Sequence, residues 1–313
     1  MNHAHALELL LEEHPFLSNK NTKIIKQFVA ADGRVSNSFL VESDKEGFRK
    51  FIAKSFVRHP ESLKREWIFL DLLAKKEAHA PRLLVADHEP KHFLLMEYIN
   101  GIPASKAIQQ GHDVPGIFRG MGEATGMTNS IELQTFGNIL EPSDMSWKDY
   151  VLERLKDKQQ LVETLVDEKF FSEVVSTAEA TKHVLDGESQ GKPMLIHHDI
   201  YLENFLVSKT TKEVVLIDYG IAYGGRPLFD LAKFYIWDLI RYPGQRDNFL
   251  EAYSQYVTLP PNFNEIMKFY LIYECFGMIA YFNMIGATKD TDETIDVLKD
   301  IVHGKGAIAK LIR

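Results

Sequence analysis

The sequence predicts an α+β fold in two lobes: a small N-terminal lobe with a five-stranded antiparallel sheet plus one helix, and a large, mostly helical C-terminal lobe. Three observations lead there. Short strand patterns separated by turn sequences fill most of the first hundred residues. Long helical periodicities then take over. Near residue 200 the chain returns briefly to strands, in a stretch dense with polar residues, "LIHHDIYLENFLV" (195–207).

Taken in order, "MNHAHALELLLEEHPFL" has leucines at helical spacing but no basic start and no small-residue cleavage site, so it reads as an amphipathic helix and not as a signal peptide. "KIIKQFVAA" (23–31), "VSNSFLVES" (35–43) and "GFRKFIAKSF" (47–56) are strands, parted by the turn sequences "ADGR" and "SDKEG". Strands joined this closely form an antiparallel meander. "HPESLKREWIFLDLLAKK" (59–76) is a helix, with Pro60 in its first turn and Leu63, Trp67, Leu70 and Leu73 on one stripe. "RLLVADHE" and "HFLLMEYI" are the fourth and fifth strands, joined around Pro90. The connector "EYINGIP" closes the N-terminal lobe at 1–98. The helical lobe, 99–313, holds helices from about 113 to 190, the strands "FLVS" and "VVLID" (214–218), and helices again from 228.

Bulk properties narrow the function classes. The 313 residues are 45% hydrophobic and 26% charged, as in ordinary soluble domains. With 36 basic and 44 acidic residues the net charge is -8, which argues against a nucleic-acid binder. The lone cysteine, Cys275, lies in apolar "YECFGMIAYF", so no internal disulfide forms and a reducing compartment is expected. No apolar run approaches the roughly 18 residues a membrane span needs. The expectation is a cytoplasmic protein, monomer or dimer, without membrane or nucleic-acid partners.

The polar residues at 195–207 need a reason, because polar groups among core residues are costly unless satisfied. Their spacing is His197-x-Asp199-x4-Asn204, and Asp218-Tyr219-Gly220 follows at the end of an apolar strand. Phosphoryl transfer needs an acid to orient and deprotonate a hydroxyl, and hard oxygen ligands for Mg2+. A turn carrying Asp199 and Asn204 beside a strand ending in Asp218 offers both. In the N-terminal half, Lys54 lies in the third strand, where a lysine can pair with nucleotide phosphates. Glu66, in the middle of the next helix, can hold it. Lys50 and Glu61 are the nearby alternatives, Glu61 standing in a first helical turn where acids are common anyway. Backbone groups of "LMEYIN", at Glu97 and Ile99, suit a purine.

With "IHHDIYLEN", "LIDYG" and "RPLFDLAKF", the chain resembles the protein-kinase-like superfamily over roughly residues 23 to 300. Within it the chain is most similar to the small-molecule kinases of the aminoglycoside phosphotransferase and choline-kinase-like branch. The resemblance implies a kinase-like bilobal fold, with Asp199 as catalytic base, Asn204 and Asp218 as Mg2+ ligands, and His197 as a structural member of the catalytic loop. It makes Asp230 a brace of that loop, which is compatible with a plain helix cap. The sequence departs from the protein-kinase pattern in two places. The glycine-rich phosphate loop is absent, since "ADGRVSNSF" has only Gly33, leaving backbone amides and Ser36 or Asn37 for the phosphates. His198 stands where that branch usually has glycine and protein kinases have arginine.

Only 12 residues separate Asp218 from Asp230, too few for the activation loop and peptide platform of a protein kinase. The expected partners are therefore ATP or GTP and a small hydroxyl-bearing acceptor. Acids at Asp238, Glu251, Glu274, Asp290, Asp292, Glu293 and Asp296 would suit an aminoglycoside-type antibiotic. A choline-like amine, a sugar or a glycated amine is the alternative, followed by a pseudokinase that binds nucleotide without turnover. A metal hydrolase built on His197, His198 and Asp199 is disfavoured, because adjacent histidines rarely point at one ion.

Overall fold

The computed structural model describes residues 1–18, 21–29, 36–56 and 60–312. The chain forms two units, residues 1–110 with 204–222 and residues 111–203 with 223–313. The "ADGR" turn with Gly33 lies outside the described residues.

Helix α1 (His3–Glu13) starts at Asn2, whose side chain accepts the His5 N–H at 2.9 Å. Its buried Ala6 and Leu10 lie one turn apart and join the core of the first unit. Strands β1 (Lys23–Val29), β2 (Asn37–Glu42) and β3 (Lys50–Ser55) make the expected meander. Phe39 and Val41 of β2 and Phe51 and Ala53 of β3 alternate into the same core. Helix α2 (Pro60–Lys75) buries Leu63, Leu70 and Leu73, and Glu66 lies on that same buried stripe. Strand β4 (Leu94–Glu97) pairs with β3 and completes the sheet, in the order β1-β2-β3-β4.

The sheet thus has four strands among the described residues, not five. Residues 82–89 contribute only a bridge from Leu83 to Met96, flanked by bonds from the Leu84 amide to Leu95 and from the Glu97 amide to Arg82. The ladder ends there because β4 has only four residues. The three amides just before it, Lys91 to Phe93, donate to the Glu13 carboxylate instead.

Strand β5 (Gly101–Pro103) and helix α3 (Ala104–Gln109) still belong to the first unit. The second unit continues with α4 (Val114–Asn129), α5 (Trp147–Val162), α6 (Glu168–Thr181), α7 (Val184–Glu188) and β6 (Met194–Ile196). Ser146 and Asp167 cap α5 and α6. Between Glu203 and Asn204 the chain passes back to the first unit, where β7 (Phe205–Ser208) and β8 (Val214–Leu216) pair in the order β5-β7-β8. The first unit is therefore larger than a division after residue 98 implies, since β5 draws 99–110 and 204–222 into it.

The second unit resumes with β9 (Tyr223–Gly225), antiparallel to β6. Helix α8 (Pro227–Phe234) runs into a π-helical turn, Tyr235–Leu239. Helices α9 (Arg246–Tyr253), α10 (Phe263–Met284), α11 (Thr288–His303) and α12 (Gly306–Leu311) follow. Helix α10 is buried on most sides, Cys275 included, and packs against α5, α6, α8 and α11. No described helix is long and apolar enough to cross a membrane.

Where β9 lies beside β6, Gly224 and Gly137 exchange backbone hydrogen bonds of 2.7 and 2.9 Å. A Cβ on Gly224 would stand 2.0 Å from the Thr135 carbonyl oxygen, which is backbone and yields little. Gly224→Ala is expected to cost about 2–4 kcal/mol in urea denaturation. Gly244→Ala, with nothing within 4 Å, should stay within about 0.5 kcal/mol of the parent.

Candidate active site

In the first unit, strand pairing sets Lys54 on β3 opposite Leu94 on β4. Its Nζ lies 2.7 Å from Glu66 Oε2 and 2.8 Å from Asp218 Oδ1. Lys54 and Glu66 are 4% and 1% exposed, whereas the Asp218 side chain is 46% exposed. Burial by itself would lower the Lys54 pKa, but Asp218 and Glu66 reverse that and raise it, so the ammonium stays charged. Burial raises the Glu66 pKa, with Lys54 opposing. Glu66 Oε1 also accepts the Tyr219 N–H at 3.3 Å, which ties α2 to the segment after Asp218.

Asp218 adopts a left-handed backbone, φ 71°. Such a conformation in a non-glycine residue is a strain that surrounding contacts must hold. Two residues on, Gly220 leaves no room for a side chain, since a Cβ would stand 2.5 Å from the Phe56 ring. Asn204, buried, accepts the Ile217 N–H on its backbone carbonyl at 2.9 Å, which sets it beside the residue preceding Asp218. The first unit therefore gathers Lys54, Glu66, Asn204 and Asp218. It leaves out Lys50, which is exposed and lies 3.8 Å from Glu42.

The second unit gathers the rest around Asp230. This buried carboxylate accepts the His197 N–H at 2.8 Å on Oδ2 and the His198 N–H at 2.6 Å on Oδ1. Asn129 Nδ2 adds a bond of 2.9 Å and also reaches the Leu195 carbonyl at 3.0 Å, while Asn129 Oδ1 accepts the Tyr253 hydroxyl. Burial pushes the Asp230 carboxyl upward, and these donors only partly pull it back. His197 is wholly buried, and its Nδ1 accepts the Asp199 N–H at 3.2 Å, which leaves the ring proton on Nε2. Asp199 itself is ion-paired through Oδ1 with Lys233.

His198 has φ 63°, so this position favours glycine, and histidine is among the residues that tolerate it. Its ring stacks on Phe229 at 5.6 Å and 16° and meets Tyr223 edge-on at 5.0 Å. Burial first, then Lys233 and Lys158, push its pKa well below the ordinary value. Glu203, left without a role by its spacing, is exposed on the turn.

Other expected nucleotide contacts already have partners within the chain. Asn37 Oδ1 accepts from Gln27 at 3.1 Å, the Glu97 amide donates to Arg82, and the Ile99 carbonyl accepts from Gly101. Ser36 is half-buried at the start of β2. Two residues escaped sequence reading, Lys233 and Asn129, and Asp238, expected among the acceptor-site acids, has another place. Lys233 lies three positions after Asp230 on α8, on the same helix face, a spacing that marks it as a neighbour. Asp238 accepts the Leu202 N–H at 2.9 Å at the start of the turn holding Asn204. Asn129, far away in the sequence, carries no such signal.

The sequence pattern described as "Phosphotransferase enzyme family" matches residues 28–265. No curated protein matches the chain by sequence. Among solved structures, a thermostable mutant of aminoglycoside phosphotransferase APH(4)-Ia in ternary complex with AMP-PNP and hygromycin B aligns with a TM-score of 0.68 at 15% identity, over 95% of this chain and 97% of that one. The gentamicin–APH(2″)-IIa complex gives 0.61 at 16%, over 99% and 98%. A Plasmodium vivax ethanolamine kinase gives 0.63 at 12%, over 95% and 88%. At these identities the likeness is one of fold.

Two expectations follow from the geometry. Lys54→Met leaves the Glu66 carboxylate buried without its cation and should destabilise by about 3–5 kcal/mol, while Lys54→Met with Glu66→Leu recovers most of that loss in urea denaturation. Burial pushes Asp238 up to about 6. Its folded pKa therefore lies above the unfolded value of about 3.9, so the contribution of Asp238 to stability falls as pH rises from about 4 to about 6 and stays low above that. Asp238→Asn keeps an acceptor for Leu202 and removes the charge. Melting temperatures should show the variant gaining on wild type across that window, with a constant difference contradicting the assignment.

Proposed function

Because the chain belongs to the phosphotransferase enzyme family, we propose that it transfers the γ-phosphoryl group of ATP or GTP to a hydroxyl of a small molecule, with an aminoglycoside-type antibiotic as the favoured acceptor. The observation that carries this reading is the buried Lys54 ammonium held between Glu66 and Asp218. A cation desolvated this way and restrained by two carboxylates is prepared for nucleotide phosphates.

Asp199 takes the proton of the acceptor hydroxyl as its oxygen attacks the γ-phosphorus. The bond to the β–γ bridging oxygen breaks, and the nucleoside diphosphate leaves. Lys233 keeps the Asp199 carboxylate oriented. His197 holds the turn through its Nδ1, and Asp230 holds both histidine amides. The Asn204 amide oxygen and the Asp218 carboxylate are hard oxygen donors of the type Mg2+ takes, on adjacent segments of one unit, so they suit that ion. When bound, Mg2+ would neutralise charge on the transferring phosphates. Ser36, just before β2, and the Asn37 side-chain nitrogen are assigned to the phosphates, and the purine to the backbone at Glu97 and Ile99 other than the Glu97 N–H and the Ile99 carbonyl, which bond within the chain.

The preference for a cationic acceptor rests on the net charge of -8 and on acids of the second unit. Asp238 leaves that set, being committed to Leu202, and Glu293 and Asp296 are paired with Lys289 and Lys299. Glu251, Asp290, Asp292 and the buried Glu274 remain. The alternative acceptor, a choline-like amine, a sugar or a glycated amine, draws support from the aromatic cluster of Tyr150, Tyr223, Phe229 and Tyr273, which could take an alkylammonium by cation–π attraction. Against it, Arg154 already covers Tyr150 at 3.6 Å and Lys158 approaches Tyr273 at 4.9 Å. A pseudokinase is disfavoured, since Lys54, Asp199 and Asp218 are all present.

Magnesium-dependent ATP and GTP turnover against a panel of antibiotics, amines and sugars tests the proposal. Turnover should rise with an aminoglycoside, and Asp199→Asn should lower kcat by roughly 10²–10⁴ while leaving nucleotide affinity unchanged. Wild-type turnover in that variant would remove Asp199 from its role. Activity on generic proteins and on no small molecule would overturn the acceptor class.

A further inference from the structure

A second polar cluster lies in the first unit, where α1 ends. Glu13 and His14 close the helix, and His88 stands on the loop between α2 and β4. One donor atom from each of the three, carboxylate oxygen or ring nitrogen, lies within 4.8 Å of the other two. Glu13 Oε1 is 3.6 Å from His14 Nε2 and 3.7 Å from His88 Nε2. These gaps are too long for hydrogen bonds, and both Nε2 atoms are buried without a partner. The His14 side chain is 2% exposed and that of Glu13 1%. Two buried ring nitrogens directed at one carboxylate without a hydrogen bond to it are costly.

The carboxylate is firmly set. Its Oε1 accepts the Lys91 N–H at 2.7 Å, and its Oε2 accepts the His92 and Phe93 N–H groups at 2.7 and 3.1 Å. Such outer bonds orient a ligand before an ion arrives. The rings of His14 and His88 lie 5.4 Å apart and nearly perpendicular, 82°, and Phe16 covers His14 from another side.

We propose that Glu13, His14 and His88 bind one divalent transition-metal ion of the zinc class, with a structural role. Two imidazole nitrogens and one carboxylate oxygen form a donor set that zinc takes, with a fourth position left for water. Ligand atoms around a tetrahedral ion with bonds of about 2.0–2.1 Å stand roughly 3.4 Å apart, close to the spacing already present. Mg2+ and Ca2+ favour oxygen-rich shells and suit the cluster poorly. The ion would fasten the end of α1 to the loop that enters β4. Since Leu94 of β4 pairs with Lys54 of β3, the same fastening steadies the strand edge that carries Lys54.

The test uses the full, untagged chain stripped with a chelator, titrated with Zn2+ by calorimetry and with Co2+ as a spectroscopic probe. One equivalent should bind, the melting temperature should rise by several degrees, and Mg2+ should not compete. Co2+ should show the visible bands of a four- or five-coordinate nitrogen and oxygen site. His88→Ala should weaken binding about tenfold or more and abolish the thermal shift. That ring is 39% exposed, so its loss should spare folding, as circular dichroism would check; His14→Gln is the second variant. His3→Ala with His5→Ala, on the exposed start of α1, should change nothing. The proposal is overturned if folded wild type binds no saturating equivalent, if His88→Ala binds as tightly as wild type, or if the His3 and His5 changes remove the binding instead.

Discussion

The Asp230 carboxylate, buried at the start of α8, accepts three hydrogen bonds, and the polar turn of the second unit depends on them. Its oxygens take the amides of His197 and His198, so the backbone leaving β6 is pinned where it must turn. With those amides fixed, His198 can hold a left-handed backbone and His197 can lie wholly buried with Nδ1 toward the Asp199 amide. Asn129 and Tyr253 extend the network into α4 and α9. A buried carboxylate is expensive, and here neutral donors satisfy it. Lys233, three positions further along α8, pairs with Asp199 instead.

The first unit solves the same problem with charge. Lys54 and Glu66 are both withdrawn from water, and each makes the other's burial tolerable. Asp218 joins them from a more exposed position, so the lysine bridges a structural carboxylate and one that can also reach a ligand. Such an arrangement adds little net stability. Under the proposed function it acts as preorganisation, with the ammonium desolvated and restrained in advance.

Much of this was legible in the residues. The β1–β3 meander followed from alternating apolar residues and turn chemistry, and the long helices from their period. The Lys54–Glu66 ion pair was itself readable, since Glu66 is an acid on the buried stripe of α2. The 82–89 segment misled because its apolar residues suit a strand, while the neighbouring amides are taken by Glu13. That capture joins residues about eighty positions apart, as does the Asn129–Asp230 bond at about a hundred, and no local pattern encodes either. His198 was opaque for another reason: a positive φ is a backbone property, visible in the sequence only when glycine announces it.

The central claim is phosphoryl transfer to the hydroxyl of a small molecule, and phosphorus NMR of the acceptor after incubation with ATP and Mg2+ tests it most directly. The account predicts a phosphate monoester signal coupled to carbon-bound protons of the acceptor, growing with enzyme and time. Inorganic phosphate alone, with every acceptor recovered unchanged, would contradict it.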